Sequence, residues 1–245
     1  LKSADLLSCE FKSRSGYQLT SIIMMQKHST IMKIFLDTAD VEEIKACREY
    51  ALIDGVTTNS TQIRESGKSP DDIYNALADL GLKDISMEVS GNPEEMYDEA
   101  IRLSDLFGSV TTITLPMTKE GLQVCAVLNK ELVRTNVSLI FNAAQALLAS
   151  RAGATYVSPF VGRIDDQGYA GLEVVRSIAS LFCTMGSSTE VLASSIRTPH
   201  RAVRSLFNGA SIVTMPPSVF NSMYDHVLTE KGLEIFENDI KAITA

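Results

Sequence analysis

Eight short apolar runs, each followed by a stretch of helical spacing, limit the possible folds of this chain more than any other feature. The runs cover residues 34–36, 52–56, 85–89, 110–115, 133–141, 155–161, 191–196 and 211–215. The intervening stretches repeat apolar residues at i, i+3 and i+4, most clearly over 93–103 and 172–182. Alternation of this kind indicates parallel β/α architecture, because each helix carries the chain back to start the next strand. Eight such units point to α/β class, a single parallel (β/α)8 TIM barrel, with an open sheet as the alternative. The 245 residues suit one such domain, since barrels of this kind commonly run to about 250 residues. An extra amphipathic C-terminal helix over 230–243 follows the eighth unit. Helix starts are marked by Asp40 before Val41, by Asn92-Pro93 and by Thr118 before Lys119, each a residue type that satisfies or omits first-turn N–H groups.

The barrel domain is expected over 32–245, beginning at Met32. Residues 1–31 carry Ser, Lys and Gln without sustained periodicity and read as a leader or flexible extension, with a transit peptide as the weaker alternative. The formal net charge is −8. It offers no basic face, so nucleic acid and membrane are excluded as partners. A local pair of arginines can still hold an anionic substrate. The four cysteines, Cys9, Cys47, Cys125 and Cys183, show no metal-ligand spacing and read as reduced thiols of a cytoplasmic protein.

Side chains alternate along a strand. If the apolar residues of each run face the helices, the polar ones face the barrel interior. Ile34 and Leu36 then oppose Phe35 and Asp37; Met87 and Val89 oppose Ser86 and Glu88. Ile113 and Leu115 oppose Thr112 and Thr114; Val137 and Leu139 oppose Asn136 and Ser138. On the seventh run, Leu192 and Ile196 oppose Ala193, Ser195 and Arg197. Asp37, Asn59, Glu88, Thr114, Asn136, Ser138, Ser195 and Arg197 thus collect near the strand ends, where a barrel builds its active site. A buried polar ring is costly unless paired, so a ligand site is favoured over a structural network. Arg163, after the sixth run, and Arg197 suit phosphate, because a guanidinium presents several fixed donors and keeps its charge. The competing reading for Arg163 is a salt bridge with Asp165 or Asp166. A Ser–His–Asp hydrolase is set aside: beyond residue 31 only His200 and His226 occur, and His200 fits the first turn of a helix.

Several segments carry a family pattern: Phe35-Leu36-Asp37-Thr38-Ala39, Gly55-Val56-Thr57-Thr58-Asn59, Leu115-Pro116-Met117-Thr118, Thr135-Asn136-Val137-Ser138-Leu139, the stretch 154–163 and Ala193-Ser194-Ser195-Ile196-Arg197. In order and spacing they resemble the transaldolase family, in particular the small subfamily of short microbial transaldolases and fructose-6-phosphate aldolase. The resemblance covers 32–245. It implies class I aldolase chemistry, in which a lysine on the fourth strand forms a Schiff base with a ketose phosphate. The iminium serves as electron sink for carbon–carbon cleavage, and transaldolases pass the dihydroxyacetone unit to an aldose phosphate. The resemblance further implies sugar phosphates as partners, no metal or organic cofactor, and a homopentamer or homodecamer joined through the C-terminal helix. Carried across residue by residue, Asp37 is an acid/base group, and Glu88 and Ser138 hold a proton-relay water. Asn59 and Asn136 bind substrate hydroxyls, Ser158 lines the site, and Arg163, Ser195 and Arg197 take the phosphate.

The chain departs from the pattern at two positions. Thr114 stands where the family has the Schiff-base lysine, and a hydroxyl cannot form an iminium. Ser60 stands where the family usually has Pro. Transfer chemistry is therefore expected to be impaired. The alternatives are a non-catalytic sugar-phosphate-binding pseudoenzyme, or an isomerase-type or aldolase-like enzyme using Asp37 and Glu88 as acid and base without a Schiff base.

Overall fold

A computed structural model describes residues 32–48 and 52–244; the leader expected over 1–31 lies outside the described residues. Eight parallel strands close in chain order, the eighth pairing with the first. They are β1 Lys33–Asp37, β2 Gly55–Thr57, β3 Asp84–Glu88, β4 Thr111–Pro116, β5 Thr135–Ile140, β6 Tyr156–Pro159, β7 Glu190–Ala193 and β8 Ile212–Met215. The helices are α1 Val41–Arg48, α2 Ser60–Ser66, α3 Pro70–Asp79, α4 Pro93–Phe107, α5 Lys119–Lys130, α6 Ala143–Arg151, α7 Val161–Asp166, α8 Gly171–Met185, α9 Pro199–Phe207, α10 Pro217–Asn221 and α11 Val227–Thr244. The expected caps form: Asp40 Oδ1 accepts from the N–H groups of Glu42 and Glu43, Asn92 closes a capping box with Glu95, and Thr118 accepts from Gly121 N–H.

The barrel separates two packing layers. Outward-facing Leu36, Val56, Ile85, Met87, Ile113, Leu115, Val137, Val157, Val191, Val213 and Met215 are buried against the helices in one continuous core. Inside, Phe35, Tyr156, Leu192 and Ile212 form a separate apolar cluster. Gly55 makes room for it: a Cβ there would come within 2.8 Å of the Phe35 ring and 2.5 Å of the Asp84 carbonyl oxygen. Toward the amino ends of the strands lies a polar network that the sequence reading did not anticipate. Asp84 accepts from Arg134 Nη1 at 2.9 Å, Tyr156 Oη at 2.8 Å and Thr112 Oγ1 at 2.8 Å. Beside it, Lys33 pairs with Glu190 at 3.6 Å.

Two expectations need correction. The second run, 52–56, is a strand only from Gly55. Leu52 is exposed, and the Asp54 carboxylate takes the Ile34 N–H at 3.0 Å, which ends the ladder there. On β7 the expected faces are exchanged, with Leu192 in the inner cluster and Ala193 in the outer core. The alternation then breaks, because Ser195 adopts φ 57°, a left-handed conformation rare outside glycine. Ser194 and Ser195 consequently both reach the cavity described next.

Candidate active site

Side chains at the carboxyl ends of the strands enclose a small polar cavity of about 130 Å3. Nine of the ten residues singled out from the sequence line it: Asp37, Asn59, Glu88, Thr114, Asn136, Ser138, Ser158, Arg163 and Ser195. The tenth, Arg197, lies in an adjoining wider cleft of about 800 Å3 that it shares with Arg163, Phe141, Asp166 and Tyr169. Arg163 borders both spaces and so joins the inner cavity to the outer cleft.

Asp37 ends β1. Its Oδ1 accepts from Gln62 Nε2 at 2.9 Å and from Thr57 Oγ1 at 3.2 Å. Thr57 in turn shares a 2.6 Å hydrogen bond with Thr214. Burial pushes the Asp37 carboxyl above the usual carboxylate value, against the opposing pull of Gln62, Thr57 and the Arg163 charge. Sequence reasoning missed Gln62, although Asn59 followed three residues later by Gln is a capping-box spacing. That box forms: Asn59 Oδ1 accepts from Gln62 N–H at 3.1 Å, and Gln62 Oε1 accepts from Asn59 N–H at 3.2 Å. Asn59 is therefore a helix cap as well as a lining residue, with its side-chain acceptor engaged in the cap.

Glu88 ends β3 and is held by Ser60, whose N–H and hydroxyl each donate to one carboxylate oxygen at 3.2 Å. Thr114 sits opposite Glu88 in the β3–β4 register and opposite Asn136 in the β4–β5 register. Its side chain is 6% exposed, and its hydroxyl has no protein partner among the described residues. Asn136 Oδ1 accepts from Ser158 Oγ at 2.7 Å, which fixes both side chains. Among the described residues no lysine lines the cavity. Lys119 is the exposed first residue of α5, and Lys33 is engaged with Glu190 at the other end of the barrel. His200 lies in the first turn of α9.

The two arginines differ in their partners. Arg163 stacks its guanidinium 4.9 Å from the Phe160 ring centroid and makes no salt bridge among the described residues. The pairing considered for Arg163 falls instead to Arg197, whose two terminal nitrogens donate to the two carboxylate oxygens of Asp166. This contact holds the Asp166 carboxyl below its usual value. Asp165 pairs with Arg201 at 3.3 Å. Gly162 brings these segments together: its N–H donates to Ser195 O at 3.0 Å, and a Cβ there would come within 2.4 Å of that oxygen. Among the described residues no cluster of His, Cys, Asp and Glu could hold a metal ion, and no helix is long and apolar enough to cross a membrane.

A closed parallel barrel with a convergent polar cavity at its strand ends is the architecture of a barrel enzyme. Solved structures agree on the fold: lactate oxidase from Pediococcus acidilactici superposes with a TM-score of 0.56 at 13% identity, over 77% of this chain and 64% of its own. The chain belongs to the transaldolase/fructose-6-phosphate aldolase family, whose model matches residues 34–245. A probable transaldolase from Lactiplantibacillus plantarum is 40% identical over 87% of this chain and 99% of its own length. Another from Clostridium botulinum is 44% identical over 85% and 96%.

Proposed function

We propose that this chain is a transaldolase-family phosphosugar protein that keeps the family's sugar-phosphate site and lacks its covalent step. The observation that carries the reading is Thr114, a buried hydroxyl at the Schiff-base position of a cavity that no lysine lines among the described residues. Asn136, Ser138, Ser158 and Asn59 offer donors and acceptors for a polyol. Arg163, Ser195 and Arg197 stand where the phosphate group binds, each charge-assisted hydrogen bond contributing about 1.5–3 kcal/mol. Without an amine there is no iminium, so the dihydroxyacetone unit is not transferred. Borohydride reduction in the presence of fructose 6-phosphate tests this directly. The chain leaves no adduct and shows negligible transfer, whereas Thr114→Lys gains both. Turnover by the unaltered chain with a lysine trapped elsewhere would refute the reading.

One observation favours a second reading, acid–base chemistry without a covalent intermediate. Burial makes Asp37 hold its proton more tightly than an ordinary carboxyl, and Glu88 lines the same cavity. In this reading the Asp37 proton serves as general acid and Glu88, in the same cavity, is its partner. Exchange of the sugar-phosphate α-proton with deuterated solvent, lost in Asp37→Asn, supports it; absence of exchange excludes it.

A further inference from the structure

We infer that Asp166 is a latch on Arg197, competing with the ligand's phosphate for the guanidinium and so setting the affinity of the site. The inference rests on the sugar-phosphate reading and adds a residue to it. A guanidinium has two edges that can grip an oxyanion at two points: the end formed by both terminal nitrogens, and the side formed by Nε with one of them. In Arg197 the end is taken by Asp166, one nitrogen to each oxygen. The side lies against Gly162, where even an added Cβ would come within 2.8 Å of Nε. A phosphate can therefore grip the two terminal nitrogens of Arg197 only by displacing Asp166.

The structure around Asp166 lets it leave. It is the last residue of α7, its side chain is 46% exposed, and Arg197 is its one partner among the described residues. Its neighbour Asp165 is built differently: it pairs with Arg201 and also accepts the Gly171 N–H at 3.0 Å. Asp165 thus keeps α7 attached to the next segments when Asp166 lets go. Arg163, one helical turn before Asp166, makes no ion pair among the described residues and is poised to receive the phosphate first.

Titration calorimetry of the full chain with fructose 6-phosphate and with inorganic phosphate tests the latch. Asp166→Ala is expected to bind both at least about fivefold more tightly than the unaltered chain, and Arg197→Ala more weakly, as charge-assisted pairs of this strength require. In an Arg197→Ala background the gain from Asp166→Ala falls below about twofold, the residue of screened long-range charge. Equal or weaker binding by Asp166→Ala would overturn the latch and make Asp166 a residue that orients Arg197. A gain of the same size without Arg197 would overturn it equally. If Arg163→Ala weakens binding while Asp166→Ala does nothing, the sugar-phosphate reading stands and the latch alone fails. If neither the unaltered chain nor Asp166→Ala binds either probe, both fail together.

Discussion

Removing the Asp84 carboxylate is the perturbation whose cost can be worked most fully from the structure. Tyr156 Oη and Thr112 Oγ1 both donate to it, and both residues are almost fully buried, at 2% and 0% exposure. Each hydroxyl left without a partner costs about 1–3 kcal/mol. Arg134 loses its counter-charge but stays bonded to the carbonyls of Ser109 and Thr111, so its share is small. Asp84→Ala should therefore cost about 4 kcal/mol, a large fraction of the roughly 5–15 kcal/mol that holds a domain folded. For a chain of this size that lowers the melting temperature by about 8–16 °C. Asp84→Asn keeps one acceptor oxygen and should lose about half as much. Thermal melts at one scan rate, followed by circular dichroism, measure the series. Because the network lies at the opposite end of the barrel from the cavity, folded Asp84→Asn should bind fructose 6-phosphate as the unaltered chain does. A loss below about 1 kcal/mol in Asp84→Ala would show that water replaces the carboxylate and that the hydroxyls are not stranded.

Two further outcomes rest on Asp37 and on the C-terminal helix. Asp37 has a folded value raised above its ordinary 3.8, so its contribution to stability is fully present below that pH and is lost as pH rises through the folded value. Asp37→Asn should accordingly be more stable than the unaltered chain at pH 7 and lose less between pH 4 and 7; parallel pH profiles of the two proteins would contradict this. Leu228, Leu233, Ile235, Phe236, Ile240 and Ile243 of α11 are all more than half exposed, more apolar surface than a lone helix should show to water. Sedimentation should find the full chain as a pentamer or decamer and a chain ending at Thr229 as a monomer; a monomeric full chain at micromolar concentration, or an intact ring after truncation, rules the helix out as the joining element.

The barrel was legible because each run carries its own period, and the inner and outer faces of β1, β3 and β4 follow from alternation alone. On β5 alternation holds only to Ser138: Leu139, expected outside with Val137, turns left-handed and is exposed, and Ile140 takes the outer core instead. On β7 the period of two holds with its faces exchanged, because small Ala193 rather than Leu192 takes the outer core, and just beyond the strand the left-handed Ser195 breaks the period. Asp37, Glu88, Thr114, Asn136 and Ser138 were legible from alternation, being polar residues on apolar strands; Asn59, Arg163 and Ser195 lie just beyond strand ends, and Ser158 came from the family resemblance alone. Gln62 was not legible, because it reaches Asp37 from a helix and its capping role hides it among surface residues. The Asp84–Arg134–Tyr156 network was missed because its members are spread over 73 positions, from Asp84 to Tyr156, and each alone resembles an ordinary strand-end residue. The choice of Asp166 by Arg197 rather than Arg163 depends on side-chain direction across two loops, which spacing does not encode.

The two departures from the family pattern meet on one carboxylate. A lysine at position 114 would place a cation beside Glu88 across the β3–β4 register, whereas Thr114 offers a neutral hydroxyl that is not bonded to it. A proline at position 60 would have neither N–H nor hydroxyl, and Ser60 supplies both to Glu88. Ser60 thus replaces with two neutral donors part of what the missing ammonium would give, as a carboxylate in a confined polar site requires. The same bonds hold Glu88 back from a lysine restored at 114. Thr114→Lys alone should therefore regain only part of the family activity. Combining it with Ser60→Pro frees Glu88 at little structural cost, because position 60 is the first residue of α2, where proline is well tolerated. The double variant should transfer dihydroxyacetone units faster than Thr114→Lys by about tenfold, one freed charge-assisted hydrogen bond of roughly 1.4 kcal/mol. Equal rates in the two variants would mean that Glu88 is not restrained by Ser60 during the reaction.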